Sequence, residues 1–533
     1  MTTDEIANTL KLTAQLMELH DENPFKIKSI ANAAFKLNKT DIDLEGKTLE
    51  ELEKIEGVGK GIAAKINELQ TTGNLKELVE MVSKTPPGVI EMLRIKGIGP
   101  KKVRQLWQEL EIESAGELLY ACNENRLVTL KGFGLKTQAE VKRQIEFFQS
   151  NIGWYHYATV EEFAINLVKE LKKKYATEYV SLTGAMRRKC EVVDKIEILI
   201  AVENAVITDD LLNDKKIKIE LITCRENEFY NKLFETTAGE GFPISDFKLP
   251  TEIKNEKDIF SFNNLQYIEP ELRESSEIIS LAKANKIPEL IEVSDLKGIL
   301  HNHSTYSDGM NTLKEMAEYC KELGYEYLGI CDHSQSAFYA EGMKIDKVLA
   351  QHAEIDELNK KLFPFKIFKG VESDILNDGS LDYEEDVLKS FDFIVASVHS
   401  NLKMTEEKAT ARLLKAIENR YTTILGHPTG RLLLSRPGYP INHKKIIDAC
   451  AANGVIIELN AHPYRLDIDW RWIPYCLERG VKISINPDAH EKQGYHDMYY
   501  GTCAARKGML TKEMCLNTLS LSEIKLYFKS RKG

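Results

Sequence analysis

The sequence lacks several features that would define its class at once. Its nine cysteines include no Cys-x-x-Cys pair, which argues against a zinc ribbon and against a disulfide framework. No apolar run approaches the roughly 20 residues of a membrane-spanning helix, so we expect no membrane contact. The N-terminus, MTTDEIANTLKLTAQL, is acidic and amphipathic, unlike a secretory signal. Together these absences predict a protein of the reducing cytoplasm.

The sequence also lacks an excess of positive charge, and it has few histidines before residue 300. The 533 residues carry a formal net charge of −11, which argues against a protein that coats nucleic acid by bulk charge. Residues 1–150 hold 21 Lys and Arg against 23 Asp and Glu, so local contacts with phosphate stay open there. Only His20 and His156 precede residue 300, and the other ten histidines follow it. The chain is long enough for several domains, and this asymmetry predicts two kinds of chemistry within it.

Three similar segments recur in the first 150 residues. They read LEKIEGVGKGIAAKINEL, LRIKGIGPKKVRQLWQEL and LVTLKGFGLKTQAEVKRQI. Each has an apolar lead-in, a Gly-x-Gly turn and a helical pattern with basic residues in its first turns. Such glycines allow close backbone approach, and the free N–H groups of the following helix suit a phosphate. The glycines concerned are Gly57, Gly59, Gly97, Gly99, Gly132 and Gly134. The alternative is an ordinary hairpin of a helical bundle.

These segments resemble helix-hairpin-helix motifs, which bind DNA backbones without reading sequence. With the upstream stretch NPFKIKSIANAAFKL, residues 1–150 resemble the small N-terminal and fingers domains of family X DNA polymerases. In some members a lysine of the first domain forms a Schiff base with an abasic sugar, and Lys65 falls at the matching position. Nothing in the sequence lowers its pKa, so a solvated helix lysine is the favoured interpretation.

The stretch VSLTGAMRRKCEVVDKIEILIA (180–201) resembles the palm motif of the same family. That motif runs Gly-Ser-x-Arg-Arg-Gly, then Gly-Asp-x-Asp and an apolar strand, and its two aspartates hold the metal ions of nucleotidyl transfer. Gly184, Arg187 and Arg188 match the motif. Five positions depart from the motif: Ala185 replaces the serine, Lys189 and Asp194 replace glycines, and Lys195 and Glu197 replace the two aspartates. Glu220, on a later strand, is the candidate for the third catalytic acid of the family.

A lysine at a metal-binding position reverses the sign of the charge. It repels the ion that the remaining acids would attract. We therefore predict a degenerate palm that has lost its metals and helps to shape a DNA-binding surface.

From about residue 290, short apolar runs alternate with helical patterns, and most of the runs end in His, Asp, Glu or Asn. Repeated β-then-α units with polar residues at strand ends predict a barrel with its site at that end. About seven units point to a distorted (β/α)₇ barrel. The candidate ligands are His301, His303, Asp308, His333, Glu372, His399, His427, Asp488 and His490. Imidazoles with carboxylates suit Zn²⁺, Mn²⁺ or Fe²⁺, and nine ligands imply two or three ions with Glu372 as a bridge.

The ordered motifs HNHSTYSDG, CDHS, GVESD, SVHS, GHPTGR and NPDAH resemble the PHP (polymerase and histidinol phosphatase) domain. The resemblance supplies all nine ligands and adds Arg431, Asn460 and Arg465. We interpret the arginines as contacts to a substrate phosphate, although Arg465 could equally be a surface arginine beside the barrel mouth. Three further histidines match no ligand position and are expected at the surface: His352, His443 and His496.

The predicted fold is multidomain, α and α/β, in the domain order of the bacterial PolX family. The boundaries are 1–80 for a small helix-hairpin-helix domain, 81–150 for helix-hairpin-helix fingers, 151–235 for the degenerate nucleotidyltransferase-like palm, 236–290 for a thumb-like remnant and linker, and 291–533 for the PHP domain.

The resemblance implies a monomeric DNA-repair protein that acts on gapped, nicked or abasic DNA. Its PHP domain is expected to hydrolyse DNA phosphoesters with metal ions, as a 3′–5′ exonuclease or in abasic-site or 3′-end processing. Three alternatives remain: an active gap-filling polymerase, a small-molecule phosphatase of the histidinol-phosphate type, and a non-catalytic DNA-binding scaffold.

Overall fold

A computed structural model describes the chain from Met1, except residues 39–41, 43, 45, 96, 150–152, 209–216 and 533. It divides into two compact units: residues 1–122 with 127–148, and residues 123–126 with 149–533. The boundary predicted near residue 150 lies outside the described residues. None of the described helices is both long and apolar enough to cross a bilayer.

The first unit is helical. Its helices are α1 (Thr3–Leu19), α2 (Pro24–Leu37), α3 (Leu49–Glu53), α4 (Lys60–Thr72), α5 (Lys76–Lys84), α6 (Pro87–Met92), α7 (Pro100–Leu110), α8 (Ala115–Asn123) and α9 (Leu135–Gln149). Caps define several starts: Thr2 and Glu5 form a capping box for α1, and Asn23 caps α2 ahead of a proline. The apolar faces of α1, α2 and α4 share one core that includes Leu10, Ile30 and Ile62.

The three Gly-x-Gly segments form helix–turn–helix hairpins, as predicted. The first glycine of each turn is left-handed, with φ of 91° at Gly57, 92° at Gly97 and 88° at Gly132. A residue with a Cβ is strained in that conformation. The second glycine stands at or beside the start of the next helix, as Gly59 does for α4 and Gly99 for α7.

The second unit begins with the palm region. Its strands are β1 (Tyr155–His156), β2 (Val180–Thr183), β3 (Val192–Val193), β4 (Lys195–Ile200) and β5 (Lys218–Thr223), and its helices are α10 (Tyr157–Tyr175), α11 (Gly184–Arg187) and α12 (Phe229–Thr237). Strands β2, β4 and β5 form one sheet in that order, with β4 central. Because Ile196, Ile198 and Ile200 alternate along β4 and are buried, Lys195 and Glu197 lie on its other face.

The thumb-like region is held by a buried charge cluster. It contains α13 (Lys257–Phe262) and α14 (Glu277–Lys283). The Glu256 carboxylate accepts two hydrogen bonds from Arg187, at 2.8 and 2.7 Å, and two from Arg273, at 2.7 and 3.1 Å. Arg273 is fully buried among Phe234, Phe260 and its neighbours. The first arginine of the palm motif therefore joins the palm to this region.

The rest of the unit is a parallel barrel. Its strands are β6 (Gly298–Ile299), β7 (Tyr327–Ile330), β8 (Lys366–Asp374), β9 (Phe393–Ser397), β10 (Ile424–Leu425), β11 (Ile456–Asn460) and β12 (Ile483–Asn486), and its helices are α15 (Leu313–Glu322), α16 (Ile345–Lys361), α17 (Glu385–Leu388), α18 (Glu406–Ile417), α19 (His443–Asn453), α20 (Ile473–Glu478), α21 (Met498–Lys507) and α22 (Leu521–Lys532). The strands follow one another in chain order, each parallel to the next.

The barrel is nearly closed, and its ends meet beside the predicted ligands. A bridge joins Asn302 to Ala489, where the His303 N–H donates to the Ala489 carbonyl at 2.8 Å. The predicted seven-stranded barrel and the helical N-terminal region are confirmed. The surface placement of His352 is wrong: it is 8% exposed on α16 and meets the Phe391 ring edge-on.

The Glu256 cluster gives a test of stability. Burial alone would raise the pKa of Glu256, but the two arginines lower it from 4.5 to about 2. Glu256→Gln leaves two buried guanidinium groups without their counter-charge, so we expect a loss of about 3–5 kcal/mol in unfolding free energy. The measurement is chemical denaturation of this unit at pH 7.

The matched control is Glu252→Gln, on an exposed side chain of the same region, with an expected change within about 0.5 kcal/mol. Because the pKa of Glu256 is lowered in the fold, its contribution is complete above pH 4.5 and fades as the pH falls towards 2. An equal effect of the two variants would contradict the structural role of the cluster.

Candidate metal centre

The nine predicted ligands gather at the carboxyl ends of the barrel strands. His301, His303 and Asp308 follow β6, His333 follows β7, Glu372 lies near the end of β8, His399 and His427 follow β9 and β10, and Asp488 and His490 follow β12. Parallel strands deliver their final residues to one edge of a barrel, so ligands 189 positions apart in the sequence become neighbours. Their side chains are buried, His399 being the most accessible at 13%.

The ligands form three overlapping groups. Within each group, one potential ligand atom per residue lies within 4.8 Å of the others: His303, Asp308, His333 and His490; His301, His303, Glu372 and Asp488; and His333, Glu372 and His399. His427 lies beside the second and third groups, because its Nε2 is 2.9 Å from Oε1 of Glu372, which belongs to both. The Glu372 carboxylate, with two oxygens, is the shared residue suited to bridge two ions.

The polar atoms of these residues fit bound cations. His301 Nε2, Asp308 Oδ2, Glu372 Oε2 and His490 Nε2 are buried and have no hydrogen-bond partner among the described residues. A buried polar atom without a partner is costly. Imidazole nitrogens and carboxylate oxygens that converge in this way suit a divalent transition metal, so the donor set itself explains why these atoms are left unpaired.

The electrostatics of the site keep its carboxylates ionised. Burial alone would raise the pKa of Glu372, but His399, His301 and His333 hold it well below its usual value. Burial would likewise lower the pKa of His399, yet Glu372 and Asp374 raise it to about 10. The buried negative charge thus favours the protonated form of His399. A divalent ion would supply positive charge in place of that proton.

Two acids that the sequence reasoning missed orient the ligands. Glu458, fully buried on β11, accepts from His301 Nδ1 at 2.7 Å and from the His427 N–H at 2.9 Å. Asp374 meets His399 Nδ1 at 2.5 Å. In His301 and His399 the other ring nitrogen, Nε2, faces Glu372 in the metal centre. Such outer carboxylates fix the tautomer and orientation of a metal-binding histidine. The available signals were an acid inside the apolar run IIEL and the Glu-x-Asp pair on β8.

A third buried acid holds the loop that carries Asp308. Asp332 accepts from the Ser304 N–H at 2.8 Å and from the Ser307 hydroxyl at 2.6 Å. Gln351 on α16 donates to its other oxygen at 2.6 Å. The loop between β6 and α15 is therefore anchored on the residue before His333.

The predicted substrate-binding residues lie on one side of the centre. Asn460 and Arg465 both reach Oδ2 of Asp488, at 3.0 and 3.2 Å. Arg431 pairs with Asp469 and donates to the Arg465 carbonyl at 3.0 Å. Arg465 is thus buried beside a ligand rather than standing at the surface. Contact between these residues and substrate stays a prediction.

In the palm, a lysine occupies the space between the remaining acids. Lys195 Nζ lies 2.9 Å from Glu197 and 3.0 Å from Glu220, and these two acids face each other across β4 and β5. The hydrogen bonds that Lys195 donates to Glu197 and Glu220 raise the pKa of Lys195, against the opposing effect of its burial. Among the described residues, every group of three potential metal ligands lies in the barrel and none in the palm.

The nucleotide-binding face of the palm motif is also altered. Glu197 packs so closely on Gly184 that a Cβ there would stand 1.8 Å from its carboxylate. Ala185 offers no hydroxyl. Arg188 donates to the Thr237 carbonyl at 2.8 Å and pairs with Glu274 at 3.2 Å. Gly184 and Arg188 thus occupy the positions that they have in the motif, but they contact other residues of this chain.

Lys65 is paired within the first unit. Its ammonium contacts Glu77, which also contacts Lys26. The nucleophilic role that the resemblance implies for Lys65 stays a prediction.

The chain matches three family models: a helix-hairpin-helix domain over residues 1–75, a SAM-like helix-hairpin-helix tandem over 89–146 and a PHP domain over 300–462. It is 32% identical over 571 aligned positions to the DNA polymerase/3′-5′ exonuclease PolX of Bacillus subtilis (strain 168), with 98% of this chain and 99% of that protein covered.

A shorter match is to a probable phosphatase of Thermoanaerobacter sp. (strain X514), 28% identical over 44% of this chain and 97% of the phosphatase. A solved histidinol phosphate phosphatase from Lactococcus lactis, complexed with zinc, L-histidinol and phosphate, covers 40% of this chain and 94% of its own, with 18% identity and a TM-score of 0.33.

Glu458→Gln tests the orienting role of this acid. The amide keeps the shape of the side chain but loses the charge that fixes His301, so we expect the affinity for metal to fall about 10–100-fold. The measurement is competition with a chelator, followed by elemental analysis. Glu478→Gln, on an exposed side chain, is the matched control. Unchanged metal retention in Glu458→Gln would show that the contact does not orient the ligand.

Proposed function

The chain belongs to the PolX family of bacterial DNA polymerase/3′-5′ exonucleases, and from that premise we propose that its barrel hydrolyses DNA phosphoesters while its palm no longer synthesises DNA. The observation that carries the proposal is the contrast between the two centres. The barrel gathers the nine predicted ligands in one buried cluster, whereas the palm sets a lysine between its acids. The expected reaction is 3′–5′ exonuclease cleavage or the processing of abasic sites or blocked 3′ ends during DNA repair.

Bound divalent ions supply Lewis acidity and a hydroxide near neutral pH, whichever of zinc, manganese or iron they are. The residues of the chain would bind these ions and orient the substrate beside them. Glu372, 1% exposed, keeps its charge because His399, His301 and His333 hold its pKa well below its usual value. Arg465 brings a permanent positive charge to within 3.2 Å of Asp488, close enough for a guanidinium to meet a phosphate at the same site.

Loss of polymerase activity rests on Lys195. Two-metal synthesis needs carboxylates with free lone pairs, and an ammonium at 2.9 and 3.0 Å occupies one oxygen of each acid. A cation entering this site would have to displace a tethered charge of its own sign. Retained synthesis would require Asp194, Glu197 and Glu220 to bind metal despite that lysine.

DNA as the substrate is favoured over a small phosphate ester by the hairpin glycines. Gly59, Gly99 and Gly134 have no left-handed φ, and a Cβ at each would meet no atom within 4 Å. The fold therefore does not require glycine at these positions. A backbone that must approach a phosphate closely does require it. A small-molecule phosphatase would need only the barrel, and the hairpins would then have no role.

We infer that binding is independent of base sequence, since such turns offer only backbone N–H groups. Gapped, nicked or abasic duplexes are the expected substrates. That the protein acts as a monomer in the cytoplasm is also part of the proposal.

Glu372→Gln and Glu197→Gln form a matched pair of substitutions that separates the two centres. Glu372→Gln removes the charge between the barrel histidines, so we expect hydrolysis of 3′-labelled gapped DNA to fall by about a thousandfold or more. Glu197→Gln makes the same chemical change in the palm, and hydrolysis should stay within about twofold of wild type, because no palm metal is expected. Hydrolysis and primer extension are measured on the same preparations with Mn²⁺.

Two results would overturn parts of this proposal. Primer extension by wild type that disappears in Glu197→Gln would mean that the palm is active. Hydrolysis of a small phosphomonoester that depends on Glu372, with no cleavage of any DNA substrate, would favour the phosphatase alternative.

Gly99→Val tests the hairpin contact with DNA. The backbone at Gly99 is extended, with φ −84° and ψ 169°, so valine fits the fold but places methyl groups where a phosphate would approach. We expect DNA affinity to fall about tenfold, and wild-type affinity to fall steeply with salt. Fluorescence anisotropy measures both. Thr71→Val, an exposed and nearly isosteric change in α4, is the control, and equal affinity of the two variants would exclude this contact.

A further inference from the structure

Two aromatic residues follow the metal ligand at the end of β7. The chain continues from His333 into a short 3₁₀ turn, Phe338–Ala340. The Ser336 N–H donates to Asp382 at 2.7 Å, and its hydroxyl donates to Asp374 at 3.0 Å. The Met343 N–H returns to the His333 carbonyl at 2.8 Å. This segment is therefore anchored at both ends on residues of the metal centre.

Tyr339 lies against the ligands themselves. Its ring centroid is 5.9 Å from that of His333 and 6.1 Å from that of His399. Arg126, which belongs to the same compact unit, places its guanidinium 4.4 Å from the ring centroid. The Tyr339 hydroxyl is buried and has no hydrogen-bond partner among the described residues. Since a buried hydroxyl without a partner is costly, this oxygen is suited to a ligand that the site receives.

A tyrosine hydroxyl can donate a hydrogen bond to a phosphate oxygen. The unpartnered hydroxyl of Tyr339, beside the imidazoles of His333 and His399, is placed to do so.

Phe338 shows the opposite placement. Its side chain is 80% exposed, although its neighbour Tyr339 is largely enclosed and their centroids are 5.9 Å apart. The fold gains little from a phenyl ring that water surrounds. An exposed ring beside a phosphate-binding centre is the arrangement on which a nucleobase stacks.

We propose that Phe338 and Tyr339 bind the terminal nucleotide of the strand that is cut: Phe338 stacks on its base, and the Tyr339 hydroxyl donates to a non-bridging oxygen of its phosphate. The inference rests on the DNA hydrolysis proposed above and names the part of the substrate that this segment contacts. A stacked base is sequence-tolerant, because every base offers a π face. This matches the backbone-only contacts expected of the hairpins.

The first test detects stacking without catalysis. A single-stranded oligonucleotide carries 2-aminopurine at its 3′ end, with a phosphorothioate at the last linkage to slow cleavage. We expect its fluorescence to fall on binding to the full-length protein, to stay high with Phe338→Ala and to fall again with Phe338→Trp. The same probe at an internal position should respond equally to all three proteins.

Phe363→Ala is the matched control. Phe363 is 81% exposed but precedes β8, at the opposite end of the barrel strands from the metal ligands. Its loss should leave the quenching of the terminal probe unchanged. Equal effects of Phe338→Ala and Phe363→Ala, or an unquenched terminal probe with wild type, would overturn the stacking contact.

The second test uses hydrolysis. Wild type should cleave a terminus with a normal base about tenfold more efficiently, in kcat/KM, than one ending in an abasic tetrahydrofuran, and Phe338→Ala should abolish that preference. Tyr339→Phe should lower kcat/KM by about tenfold on both substrates, with metal content unchanged by elemental analysis. A Tyr339→Phe protein with wild-type rates on both would refute the phosphate contact.

The two proposals fail separately. If no DNA is cleaved but quenching depends on Phe338, the hydrolytic function is wrong and the base contact stands. If DNA is cleaved with no preference between the two termini and no Phe338-dependent quenching, the function stands and the aromatic site is wrong.

Discussion

The buried carboxylate of Glu372 is the constraint around which the barrel is organised. It is 1% exposed and lies within 3.4 Å of ring nitrogens from His301, His333, His399 and His427. A buried charge is tolerated only where opposite charge and hydrogen bonds compensate it. Strand β8 lies inside the sheet, between β7 and β9, and the barrel is nearly closed, so one position near its end is reached by residues that follow several other strands. The ligands, and the acids that orient them, all follow from this placement.

In the palm region a lysine compensates two facing acids. Glu197 and Glu220 face each other across neighbouring strands, and Lys195 supplies positive charge between them from within the chain. The arginines of the motif also make internal contacts: Arg187 binds the carboxylate that also holds Arg273. Lys507 on α21, nearly fully buried, pairs with Glu274 at 2.5 Å and donates to the Arg188 carbonyl at 3.1 Å. The motif thus packs between the thumb-like region and the barrel.

Sequence alone could predict the parts of this protein that depend on local order. His-x-His and Asp-x-His at strand ends predict metal ligands, because residues two apart on an extended segment share a side. Glu458 could not be found in this way, since its contact is with His301, 157 positions earlier. The burial of His352 could not be predicted either, because a histidine on a helix gives no sign of the neighbour that buries it. Contacts between residues that are distant in the sequence, rather than spacing along the chain, determine the role of Glu458 and the burial of His352.

Some residue types are required by the fold itself, and others are not. The turn geometry requires Gly57, whose φ is 91°, whereas neither conformation nor crowding requires Gly99 to lack a side chain. The buried hydroxyl of Tyr339 and the exposed ring of Phe338 are likewise unexplained by internal packing. Some residues cost stability or add none, and no contact within the chain explains why that residue type is present. Contact with a partner outside the chain is then the physical explanation. Both places lie where a phosphate would be bound, at a helix start in one unit and beside the metal ligands in the other.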